Sequence, residues 1–213
     1  MKVLHVTEAW SAGVATAIAG WVQATPDIEH VLLRAERPDA PVRGLSIAAA
    51  EHELPRNPLR AIVAVWRTVR REQPDVVHAH SSWAGAMVRM LPVRHVVYTP
   101  HAFAWQRSDL SPVARRVVHA AEWLLARRPH VLAACSAHEA ELAASLGAKR
   151  ITTTPYVLPP LPDGVRLHPE PQLVVFAGRV APQKGVDFAV AVAEHLASSH
   201  PQARARWVGG GDA

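Results

Sequence analysis

Two cations and two glycines stand close together in LVVFAGRVAPQKGVDF, residues 173–188: Arg179 and Lys184 fall between Gly178 and Gly185. Phosphate is the chemistry they suit. A guanidinium offers phosphate oxygens a planar fork, and an ammonium supplies a compact charge on a flexible stem. A surface Arg and Lys beside an ordinary turn is the plainer reading of the same residues. A second group is His78 and His80 in DVVHAH. Two residues apart on a strand, they point to one side, as two metal ligands would. With His101 they suggest a metal-dependent hydrolase, but no carboxylate or cysteine constellation completes the set, and packing or hydrogen bonding explains His78 better. His101, in YTPHAF, follows a strand-like run and is either a cleft residue or an exposed loop histidine.

Strand and helix patterns must place these residues. Residues 173–177 are a continuous apolar run suited to a parallel strand buried on both faces. Pro182 fits the first turn of a following helix, in which Val186, Val190, Ala193 and Leu196 recur at helical spacing. Its free N–H groups would face the crevice at the strand's carboxyl end.

Upstream, residues 2–7 read as a strand, followed by a loop through Trp10 to Gly13 and a helix containing Ile18 and Val22. Residues 29–34 and 45–49 read as strands separated by a turn around Pro38–Pro41. Pro58 starts a helix with Ile62, Trp66 and Val69 on one face and Arg60, Arg67, Arg70 and Arg71 around it. Strands at 75–80 and 95–99 flank a short helix, 83–90. Ser111 and Pro112 start another helix, with Val113, Val117, Ala121 and Leu124 expected inward. After a strand at 131–135, whose Cys135 reads as a small core residue, Ser136 and Glu139 have capping-box spacing, and Gly147 suits the helix end. Residues 151–154 close the series.

Such repetition predicts an α/β fold with a doubly wound parallel sheet. Residues 155–171 hold six prolines and little periodicity, as a linker would. A second domain then begins near Gln172.

Composition removes several alternatives. The chain has 213 residues, 49% hydrophobic and 19% charged, which argues against disorder. Its +5 charge and pI near 10.1 rest mostly on arginine, since the only lysines are Lys2, Lys149 and Lys184. No cluster of basic residues with stacking aromatics points to nucleic acid, so no nucleic-acid partner is expected. Anionic nucleotide sugars or an anionic membrane surface would match the charge equally well. A lone cysteine excludes an internal disulfide and fits a reducing compartment. The amino terminus makes a poor secretory signal, and the uncharged run 9–26 is too polar and short for a membrane span. A cytoplasmic location is the expectation.

The segment GRVAPQKG, residues 178–185, resembles the Gly-Arg, Lys-Gly motif that opens the donor domain of family 4 glycosyltransferases. RWVGGGD, 206–212, resembles that family's next strand and Gly-rich loop. PDVVHAHSSWAG, 74–85, resembles its Pro-Asp-Val, His-x-His segment, and YTPHAF its Thr-Pro-His-Gly segment. The resemblance covers essentially the whole chain and implies the two-domain GT-B fold: a Rossmann-like acceptor-side domain over 1–158, a linker over 159–171, and the first βαβ of a second Rossmann-like, nucleotide-sugar donor domain over 172–213.

The implied activity is retaining, metal-independent transfer of a sugar from a nucleotide sugar to an acceptor hydroxyl, with no cofactor besides the substrate. By the same resemblance Arg179 and Lys184 bind the donor diphosphate, Gly13 lies near it, Gly209 and Gly211 lie by the nucleotide, and His101 contacts the sugar. Ala102 stands where the family usually has glycine, Ala12 precedes Gly13 where two glycines are common, and Tyr156 and Val157 stand where relatives have Asn-Gly. The family's Glu-x7-Glu motif lies beyond the Gly-rich loop, and the sequence stops before it. The 42 residues from 172 to 213 are too few for a stable domain. The expectation is an apolar sheet edge left for another chain to cover, weak donor binding and little turnover by the 213 residues alone. A non-catalytic subunit completed by a second polypeptide is the other alternative. The arginine-rich helices would touch anionic lipid in a peripheral membrane protein, or remain solvated faces.

Overall fold

Apolar strands alternating with proline-started helices build a parallel sheet in the computed structural model, which describes residues 1–36, 47–128, 130–157, 170–178, 180 and 184–210. Two units separate: Met1–Gln106 with Leu110–Pro159, and Arg107–Asp109 with Pro160–Ala213.

In the first unit the elements run β1 (Lys2–Trp10), α1 (Ala12–Ala24), β2 (Glu29–Glu36), β3 (Ala50–Glu53), α2 (Pro58–Glu72), β4 (Val76–His80), α3 (Ser82–Met90), β5 (Val96–Thr99), α4 (Pro112–Leu125), β6 (Val131–Ala134), α5 (Ala137–Ser145) and β7 (Ile151–Thr153). The strand order is β3-β2-β1-β4-β5-β6-β7, every pairing parallel. This is the Rossmann-like arrangement expected. Strand order reverses at β1 and β4, and the crevice beyond their carboxyl ends is where such sheets place ligands.

The two sheet faces differ in chemistry. Leu4, Val6, Val31, Leu33, Val77, Ala79 and Tyr98 fill one face and pack with Ala61 and Val65 of α2 and Met87 and Val88 of α3. On the other, Leu32 packs with Trp10 and with Ala15 and Ile18 of α1. His5 and His78 are register partners on β1 and β4, and their rings stand beside that of His80. Asn57 and Ser111 cap α2 and α4 by accepting the N–H groups of Arg60 and Ala114.

Five local expectations are corrected. The strand after β2 is Ala50–Glu53, not 45–49; its sequence AEHE is an edge strand with no apolar run to reveal it. Residues 37–46, including the proline turn, lie outside the described residues.

The face assigned inward on α4 points out: Val113, Val117 and Leu124 are 69%, 63% and 62% exposed. Glu122 and Leu125 are buried instead. The cause is polar. Glu122 Oε2 accepts from Arg89 Nη2 at 2.6 Å, its Oε1 accepts from the Tyr98 hydroxyl at 2.7 Å, and the Arg89 guanidinium lies 4.0 Å above the Tyr98 ring. This buried triad sets the rotation of α4 against a purely apolar reading.

On α2 the buried residues are Ala61, Val65 and Thr68. Ile62 and Val69 only border the core, and Trp66 lies outward beneath Arg70.

The second unit holds β8 (Leu173–Ala177), α6 (Val186–Ser199) and β9 (Arg204–Val208), with β8 and β9 parallel. β8 is not buried on both faces. Its described sheet has two strands, and Val175 and Val208 are about half exposed. Helix α6 starts after Gly185, which is left-handed at φ 67°, later than a start at Pro182; Pro182 itself lies outside the described residues. No helix among the described residues is long and apolar enough to cross a membrane.

Candidate functional site

Four histidines cross the first unit's sheet in one hydrogen-bonded line. His80 ends β4, and its Nδ1 lies 3.1 Å from His101 Nε2, in the loop after β5. His80 Nε2 meets His5 Nδ1 of β1 at 2.9 Å, and His5 Nε2 meets His30 Nδ1 of β2 at 3.0 Å. The outer nitrogen of His101, Nδ1, is 3.0 Å from the Tyr156 hydroxyl. Trp21 of α1 lies over the line, its ring 5.4 Å from His78, 5.6 Å from His80 and 5.9 Å from His101.

Burial keeps His5, His78, His80 and His101 neutral. Desolvation lowers His5 to about 3 and His101 to about 4, and holds His78 and His80 well below the usual imidazole range. No carboxylate hydrogen-bonds any of these four rings among the described residues. His78, half-buried, bonds the Thr99 hydroxyl at 2.8 Å. Ring nitrogens of His5, His78 and His80 lie within 4.8 Å of one another, near enough to raise the metal reading again. However, His5 and His80 turn their facing nitrogens toward each other, and His5 turns its second nitrogen to His30. The trio is occupied as a hydrogen-bond network, and among the described residues no carboxylate or thiolate joins it to serve a hydrolase.

The His101 loop is held in an unusual conformation. His101 and Ala102 both have positive φ, 52° and 74°, a region costly for residues with a side chain. Glu139 holds it there: Oε1 accepts the Ala102 N–H at 2.8 Å and Oε2 the Cys135 N–H at 2.6 Å. Ser136 caps α5 as expected, accepting the Glu139 N–H at 3.2 Å, but the Glu139 carboxylate turns to the loop and does not close a reciprocal box. Cys135 is also not a core residue; it is half-buried, with Sγ 3.9 Å from His101 Nδ1, and burial pushes its thiol up to about 11. At that value it is a thiol, not a nucleophilic thiolate, at neutral pH.

Other residues frame this end of the sheet. Glu8 of β1 accepts the N–H groups of Ala84 at 2.9 Å and Trp83 at 3.3 Å, so α3's first turn is filled by the protein's own carboxylate. Gly20 is required for close approach: a Cβ there would lie 2.6 Å from Val157 O, beside Tyr156. Gly13 differs from its expected place. It sits in the first turn of α1, not in a preceding loop, and a Cβ added to it would meet no atom within 4 Å.

In the second unit, Lys184 and two glycine turns come together beyond β8 and β9. The Lys184 stem passes within 3.5 Å of where a Gly178 Cβ would stand. Gly178 N–H donates to Val208 O, and Val180 N–H to Gly210 O. A Cβ on Gly209, at φ 136°, would fall 2.1 Å from Gly178 O, so only glycine fits. Arg179 and Gly211 lie outside the described residues.

Residues 22–157 match the model of the glycosyl transferase 4-like domain. The chain belongs to that family. A curated relative, an uncharacterized 41.2 kDa protein of the cps region of Klebsiella pneumoniae, is 27% identical over 165 residues, 70% of this chain and 44% of the relative. Among solved structures, Anabaena HepE in complex with UDP-glucose superposes with a TM-score of 0.70 at 16% identity, over 99% of this chain and 61% of that one. Sucrose-phosphate synthase from Thermosynechococcus elongatus gives 0.65 at 14%, over 100% and 63%. The fold is thus that of GT-B glycosyltransferases, and the chain spans less than two thirds of the length of these relatives.

The resemblance read from short motifs led to this family, but His5, His30, Trp21 and the role of Glu139 were missed. A signal existed for two of them: His5 and His30 each interrupt an apolar strand, in VLHVT and EHVLL, where a buried polar group needs a partner.

Proposed function

We propose that this glycosyltransferase-family chain works with a nucleotide-sugar donor, transferring its sugar to an acceptor hydroxyl with retention and without a metal or other cofactor. The observation that carries the reading is His101. Its imidazole lies past the end of β5, clamped through Ala102 by Glu139 and kept uncharged by burial. A neutral imidazole can orient a sugar hydroxyl without competing for the donor's phosphates.

Lys184 would supply positive charge to the departing diphosphate, where charge develops in the transition state. Gly178, Gly209 and Gly210 would let backbone approach the nucleotide closely. Arg179 and Gly211 join these roles, and Gly13 a place near the donor, on the family resemblance alone. Ala102 leaves less room beside His101 than glycine would. HepE, solved with UDP-glucose, supports a uridine nucleotide as the first donor to test. A cytoplasmic site beside anionic lipid belongs to the same reading, supported by the exposed Val113, Val117 and Leu124 on α4 among its arginines.

The test is a transfer assay, incubated long enough to register the weak turnover expected of the 213 residues alone, with a panel of nucleoside-diphosphate sugars and a hydroxyl acceptor and with anomeric configuration read by NMR. The proposal expects a retained anomer, formed equally with a chelator present and reduced at least tenfold in Lys184→Ala. An inverted product or abolition by the chelator would overturn it.

A further inference from the structure

The histidine line has a direction, which its inner end determines. At the inner end Thr25 N–H bonds Val22 O, leaving Trp21 O to the Thr25 hydroxyl, which donates to it at 2.7 Å. That hydroxyl oxygen therefore receives its 3.0 Å contact from His30 Nε2 as an acceptor, and Thr25 O, an acceptor only, lies 3.4 Å from the same nitrogen. His30 consequently carries its proton on Nε2.

An imidazole in its neutral form has one donor and one acceptor nitrogen, so with His30 in that form the assignment propagates. His30 Nδ1 accepts from His5 Nε2–H, His5 Nδ1 from His80 Nε2–H, and His80 Nδ1 from His101 Nε2–H. His101 Nδ1 is left as an acceptor, and the Tyr156 hydroxyl at 3.0 Å is the donor it needs. Both ends agree. No ring has to carry charge, and no link sets two donors or two lone pairs against each other.

We infer that His80, His5 and His30 are positioning residues that lock His101 as its Nε2–H tautomer, making Nδ1 an obligate hydrogen-bond acceptor. A group that replaces the Tyr156 hydroxyl there has to donate. A sugar hydroxyl can do so; an ionised phosphate or carboxylate cannot. The consequence for substrate rests on the reading above, that His101 meets the donor sugar, whereas the lock itself does not.

Nitrogen-15 NMR of the chain tests the lock without any ligand. Expected are neutral Nε2–H forms at all four rings and scalar couplings across the three N–H···N links. His80→Leu removes the acceptor facing His101 Nε2 and should let the Nδ1–H form of His101 appear. His80→Gln, whose amide oxygen can accept the same proton, should restore a single Nε2–H form. An Nδ1–H form of His101 in the unaltered chain, or absent couplings, overturns the proposal even if the variants fail to fold. The substrate consequence is read separately, by binding UDP-glucose and an analogue with the contacting hydroxyl replaced by hydrogen. A lock without loss of affinity for any deoxy analogue rejects the sugar contact at His101 and leaves the lock standing.

Discussion

Glu139 Oε1 accepts the Ala102 N–H at 2.8 Å across 37 residues of sequence, and its other oxygen accepts the Cys135 N–H. One carboxylate thereby fastens the left-handed loop after β5 to the end of β6. Removing it in Glu139→Ala leaves two N–H groups without their charged acceptor, a loss of about 3 kcal/mol. Glu139→Gln keeps one acceptor oxygen and should cost about 1 kcal/mol. Urea denaturation measures both; a loss below about 0.5 kcal/mol in Glu139→Ala would remove the clamp from the account.

Ala102 adopts φ 74°, where a Cβ is unfavourable. Ala102→Gly relieves about 1–2 kcal/mol of backbone strain against an added entropy cost of about 0.5–1 kcal/mol in the unfolded chain. A net gain of up to about 1.5 kcal/mol is expected, visible as a raised midpoint in the same denaturation. Destabilisation by Ala102→Gly would mean that the alanine methyl makes packing contacts worth more than the strain.

Acid should weaken the first unit steeply. His5 and His101 titrate near 3 and 4 when folded and near 6.5 when unfolded, so between those values the unfolded chain binds more protons. Stability contributed by neutral burial is intact above about pH 6.5 and falls as pH drops, by about 1.4 kcal/mol per unit for each ring. At pH 5 each would have lost about 2 kcal/mol relative to pH 7.5. A melting temperature flat from pH 7.5 to pH 5 contradicts the buried neutral line.

The Arg89–Glu122 pair is almost fully buried, and its parts should behave unequally. Glu122→Leu strands a buried guanidinium and should cost about 3–5 kcal/mol, whereas Arg89→Met combined with Glu122→Leu should recover most of it. A double-mutant cycle in urea measures the coupling. Additive losses would show that the two side chains do not depend on one another.

Much of the architecture was legible because apolar runs and helix starts coincide with the elements: Pro58, Ser111 with Pro112, and Ser136 each mark a helix that forms there. Errors fell where polar contacts decide geometry. The rotation of α4 follows Glu122 and its partners on α3 and β5, which no periodicity on α4 itself contains. His78 and His80 were recognisable as sharing a strand face, but His5 and His30 join them only through sheet register. Parallel neighbours β1 and β2 are consecutive in sequence while β4 arrives on the other side of β1. Tyr156, which with Val157 stands where relatives have Asn-Gly, is in the folded chain the hydroxyl that completes the line at His101.

Saturation-transfer NMR with UDP-glucose and related nucleotide sugars, sensitive to weak binding, examines His101 and Lys184 together. The account predicts transfer to both nucleotide and sugar protons of at least one donor. The sugar signals should be selectively lost in His101→Ala, and all signals reduced in Lys184→Ala. No transfer to any nucleotide sugar, or sugar signals unchanged in His101→Ala, would contradict it.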